Sequence, residues 1–288
     1  MKYCVILLVH NLQYFEIMLK NMPTQDSKIA FVICNDDRVV NLESEIKVLC
    51  RKYCKLAKFR FLPIRKTNEY IRETLRLTEV GKKFLNEYTM GGNINPVYYL
   101  KDKFEKFLIL DDDVLILKDL IDVFECEESE NNMYVANFLS SGRGRENDPD
   151  MHKWLKFSGV DFDTYMTNNI NGGQKIYNAK YMEIYGNLLE QFYNSSWFRE
   201  NWKTWKTTGK QKSKAWFMDQ YFDNAFALKI GQNAKRFNTL GKFCRIIFSL
   251  KSLLKNKSKY LDSYVIHYCC GKDKFKFVEI LQEEGLLK

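Results

Sequence analysis

An α/β fold, with a mostly parallel sheet covered by helices on both faces, is what this 288-residue sequence predicts. Two observations lead there. Through the first third, short continuous apolar runs alternate with stretches of helical period, and continuous rather than alternating apolar strands are those buried on both faces. Further on, the run FLIL leads into three consecutive aspartates, 111–113. That pattern suits the carboxyl end of a central strand, where open α/β sheets bind ligands.

Taken in order, YCVILLV at residues 3–9 reads as a buried first strand. It is too short to span a membrane, and no small-residue cleavage site follows it. IAFVIC at 29–34 reads as a second strand, Leu42, Ile46, Leu49 and Tyr53 recur at helical spacing, and residues 59–64 form a third strand. Ile71, Leu75 and Thr78 continue into another helix, FLILD is the central strand, and Asp119 caps a short helix carrying Leu120, Val123 and Phe124. A helix is expected over 181–193, another opens in MDQYFDNAFAL at 218–228, and His267 follows a short apolar run. Repeats and Gly/Ser/Pro linkers are absent and only four prolines occur, so a single domain over 1–288 is expected, with a basic insertion or helical segment over 229–260.

Composition narrows the class. Hydrophobic residues make up 45% and aromatics 15%, enough for a large core and against disorder. The net charge is +9, and the stretch from Asn224 to Leu261 contains nine basic residues and no acid. It reads either as a solvated basic face or as a surface for an anionic partner. Its Phe243, Ile246, Ile247, Leu250, Leu253 and Leu254 recur at spacings of three and four, as an amphipathic helix on an anionic membrane would require, or one packed on the rest of the domain. None of the eight cysteines forms a C-x-x-C pair, so free thiols in a reducing, cytoplasmic setting are expected.

Asp111, Asp112 and Asp113 repel one another and lose hydration beside a buried strand, so something must neutralise them. In an extended segment alternate side chains share a face, which lets Asp111 and Asp113 meet one hard cation, Mn²⁺ or Mg²⁺, while Asp112 points elsewhere. A solvated acidic turn is the plainer alternative. Three further stretches bear on the choice: NINGGQKIYN at 169–178, with a tight Asn-Gly-Gly approach; DQYFDNAF at 219–226; and HYCCGKDKF at 267–275. A histidine at a strand end can complete an Asp/Asp/His metal set, and a lysine can meet a phosphate.

Together these blocks resemble glycosyltransferase family 8, the group of glycogenin and the bacterial lipopolysaccharide hexosyltransferases. FLILDDDVLILKDLIDVF looks like that family's strand, D-x-D and helix; NINGGQKIYN like its F-N-x-G-V block; DQYFDNAF like its D-Q block; and HYCCGKDKF like its H-x-x-G-x-x-K-P-W block. His10-Asn11-Leu12-Gln13-Tyr14 is similar to its nucleotide-binding loop. The resemblance implies a GT-A-type, Rossmann-like fold with a helical, basic C-terminal part. It implies Asp111, Asp113 and His267 as ligands of Mn²⁺ or Mg²⁺, Asn11 and Tyr14 beside the base, and Asp112 at the ribose. It also implies Asn171 and Gly173 along the donor sugar, Asp219 and Gln220 flanking the reacting centre, and Gly271 and Lys274 at the diphosphate. The implied reaction moves a hexose, with retention, from a UDP-linked donor to a glycan, lipid-linked or protein acceptor; nucleic acid is not an expected partner. The chain departs from the pattern in one extra residue between His267 and Gly271, in Phe275 where Pro-Trp is usual, and in Asn95 where a basic residue is usual.

Two other readings compete. A haloacid-dehalogenase-type phosphatase would use Asp111 as nucleophile and Asp113 as general acid, with Asp219 and Asp223 as a second metal pair, but it leaves His267, Gly271 and Lys274 unused. A non-catalytic protein binding anionic surfaces would rest on the basic stretch alone. Trp197, Trp202, Trp205 and Trp216 fall in one window and serve either as an acceptor platform or as core.

Overall fold

The first apolar run, Tyr3–Leu8, is strand β1, and all six of its side chains are buried. The structure, a computed structural model, describes residues 1–53, 58–88, 94–126, 174–200, 243–247, 249–268 and 274–285, with a few single positions between them. From β1 the chain passes through α1 (Leu12–Asn21), β2 (Ile29–Asn35), α2 (Glu43–Tyr53), β3 (Phe59–Pro63), α3 (Ile64–Thr74), α4 (Glu79–Glu87) and α5 (Asn95–Leu100). Then come β4 (Lys106–Asp111), β5 (Val114–Ile116), α6 (Ile121–Glu125), β6 (Gln174–Asn178) and α7 (Met182–Asn194). The C-terminal part adds β7 (Cys244–Ile247), α8 (Leu250–Lys255), α9 (Lys257–Leu261), β8 (Val265–Tyr268) and α10 (Lys274–Glu283).

The main sheet has the order β3-β2-β1-β4-β6, parallel except for β6, which runs antiparallel to β4. Period-two alternation along β1 builds two cores. Cys4, Ile6 and Leu8 pack with Ile71, Phe84, Val97 and Leu189 of α3, α4, α5 and α7. Tyr3, Val5 and Leu7 pack with Phe15, Ile46 and Val123 of α1, α2 and α6. Both faces are covered, which is why the strand is apolar at every position. β1 lies between β2 and β4, a strand order whose carboxyl edge is where open α/β sheets bind ligands.

A second sheet, β5-β8-β7, stands beside that edge. β5 and β8 are antiparallel, with Val114 opposite His267. α10 covers this sheet by packing Phe277, Val278 and Leu281 against Leu115, Ile247, Ile266 and Tyr268.

Two local expectations are corrected. The helix expected to run through Leu75 and Thr78 ends at Thr74; Thr78 instead caps α4, its Oγ1 accepting from the Gly81 N–H at 3.1 Å. The basic stretch is not one amphipathic helix. Its Cys244–Ile247 portion is strand, parallel to β8, followed by two short helices. Phe243, Ile246 and Ile247 are buried, whereas Leu254 is 56% exposed. The spacing of three and four arose across a strand, a break and a helix, so it never described one face. Residues 231–242 lie outside the described residues. Asp119 does meet the start of α6, its Oδ1 accepting from the Ile121 N–H at 3.1 Å. Among the described residues Cys4, Cys34, Cys50 and Cys126 are in no disulfide, and no helix is long and apolar enough to cross a membrane.

Candidate metal and nucleotide site

β4 ends at Asp111 and β5 begins at Val114, so Asp112 and Asp113 form the step between the two sheets. Pairing of Val114 with His267, together with a Tyr268 N–H that donates to the Asp113 carbonyl at 3.1 Å, brings the histidine to the aspartates. His267 Nε2 lies 2.9 Å from Asp113 Oδ1 and 4.0 Å from Asp111 Oδ2. One ligand atom from each of Asp111, Asp113 and His267 fits within 4.8 Å of the others. Two carboxylate oxygens and an imidazole nitrogen, on three separately anchored segments, form a donor set suited to Mn²⁺ or Mg²⁺.

Asp112 points away from this cluster, as the extended geometry requires. Its Oδ2 accepts from the backbone N–H groups of His10 and Asn11 at 2.6 and 2.5 Å, tying the end of β4 to the end of β1. Burial raises its pKa above the ordinary carboxylate value, and the two N–H groups offset that only in part. Burial also works against the Asp113 carboxylate, but His267 and then Lys274 outweigh it and hold the group at about 2. Lys274, the first residue of α10, donates to Asp113 Oδ2, and its Nζ lies 5.4 Å from the centre of the Tyr14 ring.

Around these charges stands an aromatic group. Tyr14 of α1 meets Phe275 at 4.8 Å between ring centres and the edge of Tyr268 at 5.9 Å. Asn11 caps α1, its Oδ1 accepting from the N–H groups of Gln13 and Tyr14 at 2.9 and 3.3 Å. The segments carrying Asn11, Tyr14, Asp111, Asp112, Asp113, His267 and Lys274 thus converge on one edge. Asn171, Gly173, Asp219, Gln220 and Gly271 lie outside the described residues, as do Trp202, Trp205 and Trp216. Trp197 packs edge-on to Phe198 at 4.7 Å and against the main core. Asn95 is fully buried, donating to Asn68 Oδ1 at 2.7 Å and accepting from the Tyr193 hydroxyl at 2.6 Å, so a charged side chain there would lose its hydration.

Sequence reasoning missed the partners of Asp112 and the ring contact of Phe275 with Tyr14. The first had a signal: an Asn N-cap directly after a buried strand predicts inward-facing N–H groups that need an acceptor.

The sequence matches no protein-family model and no curated protein sequence. The structure is similar to apo mouse xyloside xylosyltransferase 1, at a TM-score of 0.53 and 12% identity over 94% of this chain and 99% of that one. It is similar to the bifunctional glycosyltransferase WbbM, at 0.51 and 12% identity over 96% of this chain and 49% of that one. An active-site mutant of LgtC gives 0.50 and 13% identity over 97% and 95%. At such identities the likeness concerns the fold, which is the mixed α/β arrangement of GT-A glycosyltransferases.

Proposed function

We propose that this chain is a metal-dependent, retaining glycosyltransferase of the family 8 type, moving a hexose from a UDP-sugar to a glycan or glycoconjugate acceptor. The observation that carries the reading is the convergence of Asp111, Asp113 and His267 at the carboxyl edge of a GT-A fold, with Lys274 on Asp113. Likeness of the fold to solved glycosyltransferase structures supports it.

Asp111, Asp113 and His267 would hold Mn²⁺ or Mg²⁺, which supplies Lewis-acid charge to the diphosphate leaving group. Lys274 and Gly271 hold the diphosphate, with the ammonium adding charge where the leaving group develops it. Tyr14 and Asn11 flank the base. Asp112 fixes the turn that presents them, leaving its other oxygen for the ribose. Asn171 and Gly173 line the sugar, while Asp219 and Gln220 orient it. The acceptor hydroxyl attacks the anomeric carbon as the bond to the diphosphate oxygen breaks, and a phosphate oxygen takes the hydroxyl proton. The phosphatase reading gives no role to His267 and Lys274, both of which contact Asp113.

Thermal stabilisation by a panel of nucleotide sugars, with and without Mn²⁺, tests the reading. A ligand at a hundredfold excess over its Kd adds about 2.7 kcal/mol. Metal-dependent stabilisation by UDP-sugars is expected, and it should vanish in Asp111→Asn and Asp113→Asn. Release of phosphate from small phosphoesters without any response to sugar nucleotides would overturn it.

We further propose a cytoplasmic protein that makes a peripheral contact with an anionic membrane. Lys251, Leu254, Lys255 and Lys259 of α8 and α9 are exposed, and each basic residue near such a surface contributes about 1 kcal/mol. Co-sedimentation with anionic but not neutral vesicles at low salt is expected; negligible binding to both would remove this contact.

A further inference from the structure

Both oxygens of the Asp113 carboxylate are already engaged. Oδ1 faces His267 Nε2 at 2.9 Å, and Oδ2 accepts from Lys274. The carboxylate is 11% exposed and Lys274 23%, so water screens their attraction poorly. A divalent ion entering among Asp111, Asp113 and His267 would therefore meet an ammonium bonded to one of its own ligands.

We infer that Lys274 is a resident substitute for the metal. Its ammonium competes with the divalent ion for Asp113, and the ion binds tightly only when a diphosphate gives that ammonium another anion to hold. The inference rests on the glycosyltransferase reading above and adds to it an obligatory coupling between metal and donor.

Three observations support the exchange. First, the backbone of Lys274 is fixed: α10 is anchored by Phe277, Val278 and Leu281, and Phe275 is held against Tyr14. Release of Asp113 therefore falls to the four-carbon side chain rather than to a helix movement. Secondly, the Tyr14 ring, 5.4 Å from Nζ, supplies a face over which an ammonium is attracted, so the side chain has a polarisable surface to swing across. Thirdly, a nearly buried carboxylate needs a positive partner whether or not metal is present. Lys274 supplies it in the absence of metal, which keeps the step between the sheets from repelling itself open. Coupling of this kind is reciprocal: the factor by which UDP tightens the metal is the factor by which metal tightens UDP.

The test measures Mn²⁺ binding to the full chain by electron paramagnetic resonance, at fixed pH, with and without UDP. Without nucleotide, Lys274→Met is expected to bind Mn²⁺ about tenfold more tightly than the wild type, within the usual range of coupling between sites. UDP should then tighten Mn²⁺ binding much less in the variant than in the wild type. Lys274→Arg keeps the positive charge and should keep the weak metal binding. Lys274→Gln, also a good helix former, is expected to behave as the Met variant does, and circular dichroism verifies that each variant is folded. Equal or weaker Mn²⁺ binding by folded Lys274→Met and Lys274→Gln, in a chain whose wild type binds Mn²⁺ and UDP, overturns the competition and leaves the glycosyltransferase reading standing. Absence of Mn²⁺ binding in every variant, with or without UDP, removes the metal site and this inference with it.

Discussion

Two substitutions at Asp112 separate hydrogen bonding from charge at the join between β1 and β4. Asp112 is 7% exposed, and its Oδ2 accepts from two backbone N–H groups. Alanine leaves two part-buried donors without their acceptor, at about 1 kcal/mol each, the low end of the usual 1–3. It also removes a carboxylate whose raised pKa shows that folding disfavours its charged form, which recovers part of that cost. The expected net loss at pH 7 is about 1–2 kcal/mol. Asparagine keeps an oxygen with two lone pairs and discards the charge, so its loss should stay within about 1 kcal/mol. The sign with pH follows from the same shift. Above the ordinary value of 3.8 the folded state holds the Asp112 proton longer than the unfolded chain does, so this group makes stability fall as pH rises through that interval. Asparagine should abolish that contribution. Urea midpoints at constant m-value measure all of this. If asparagine costs as much as alanine, the charge itself holds the turn and the reasoning is wrong.

Asp113 carries the opposite sign: its pKa is depressed to about 2, so its contribution is complete above 3.8 and is lost as pH falls through 2. At about 1.4 kcal/mol per unit this is on the order of a few kcal/mol, and Asp113→Asn should flatten the acid limb of stability measured by urea unfolding between pH 5 and pH 2. His267→Ala should weaken Mn²⁺ binding about tenfold or more in calorimetry while leaving the fold intact; unchanged affinity would place the ion elsewhere. Gly186→Ala puts a Cβ 2.7 Å from the buried Tyr98 ring. The helix gain of about 1 kcal/mol is smaller than the usual overpacking cost of about 1–3, so Tm should fall by a few degrees, and a rise would refute the packing.

The main sheet was legible because parallel strands covered on both faces have no polar alternation to confuse with a helix. YCVILL, IAFVIC and FLILD are apolar at nearly every position. The second sheet was not legible. CRII and VIHY are four-residue strands, too short for periodicity to separate from a helical turn, and the pairing of VIHY with VLI joins residues far apart in the chain. The Asp111/Asp113 face followed from the two-residue period of an extended chain, and His267 from its place after an apolar run. The engagement of Asp113 by Lys274 could not follow from spacing, because it depends on how α10 docks.

The step between the sheets has a consequence for biosynthesis. β4 and the aspartates emerge early, but the histidine sits on β8, and the lysine that meets Asp113 lies 161 residues beyond it. A nascent or prematurely ended chain can assemble the parallel strands β1 to β4 and expose its acidic triplet, yet it has no imidazole to close the cluster and no ammonium to quiet it. Under the proposed metal site, activity would switch on only when β8 is laid beside β5, so catalytic competence would itself report that synthesis had reached that strand.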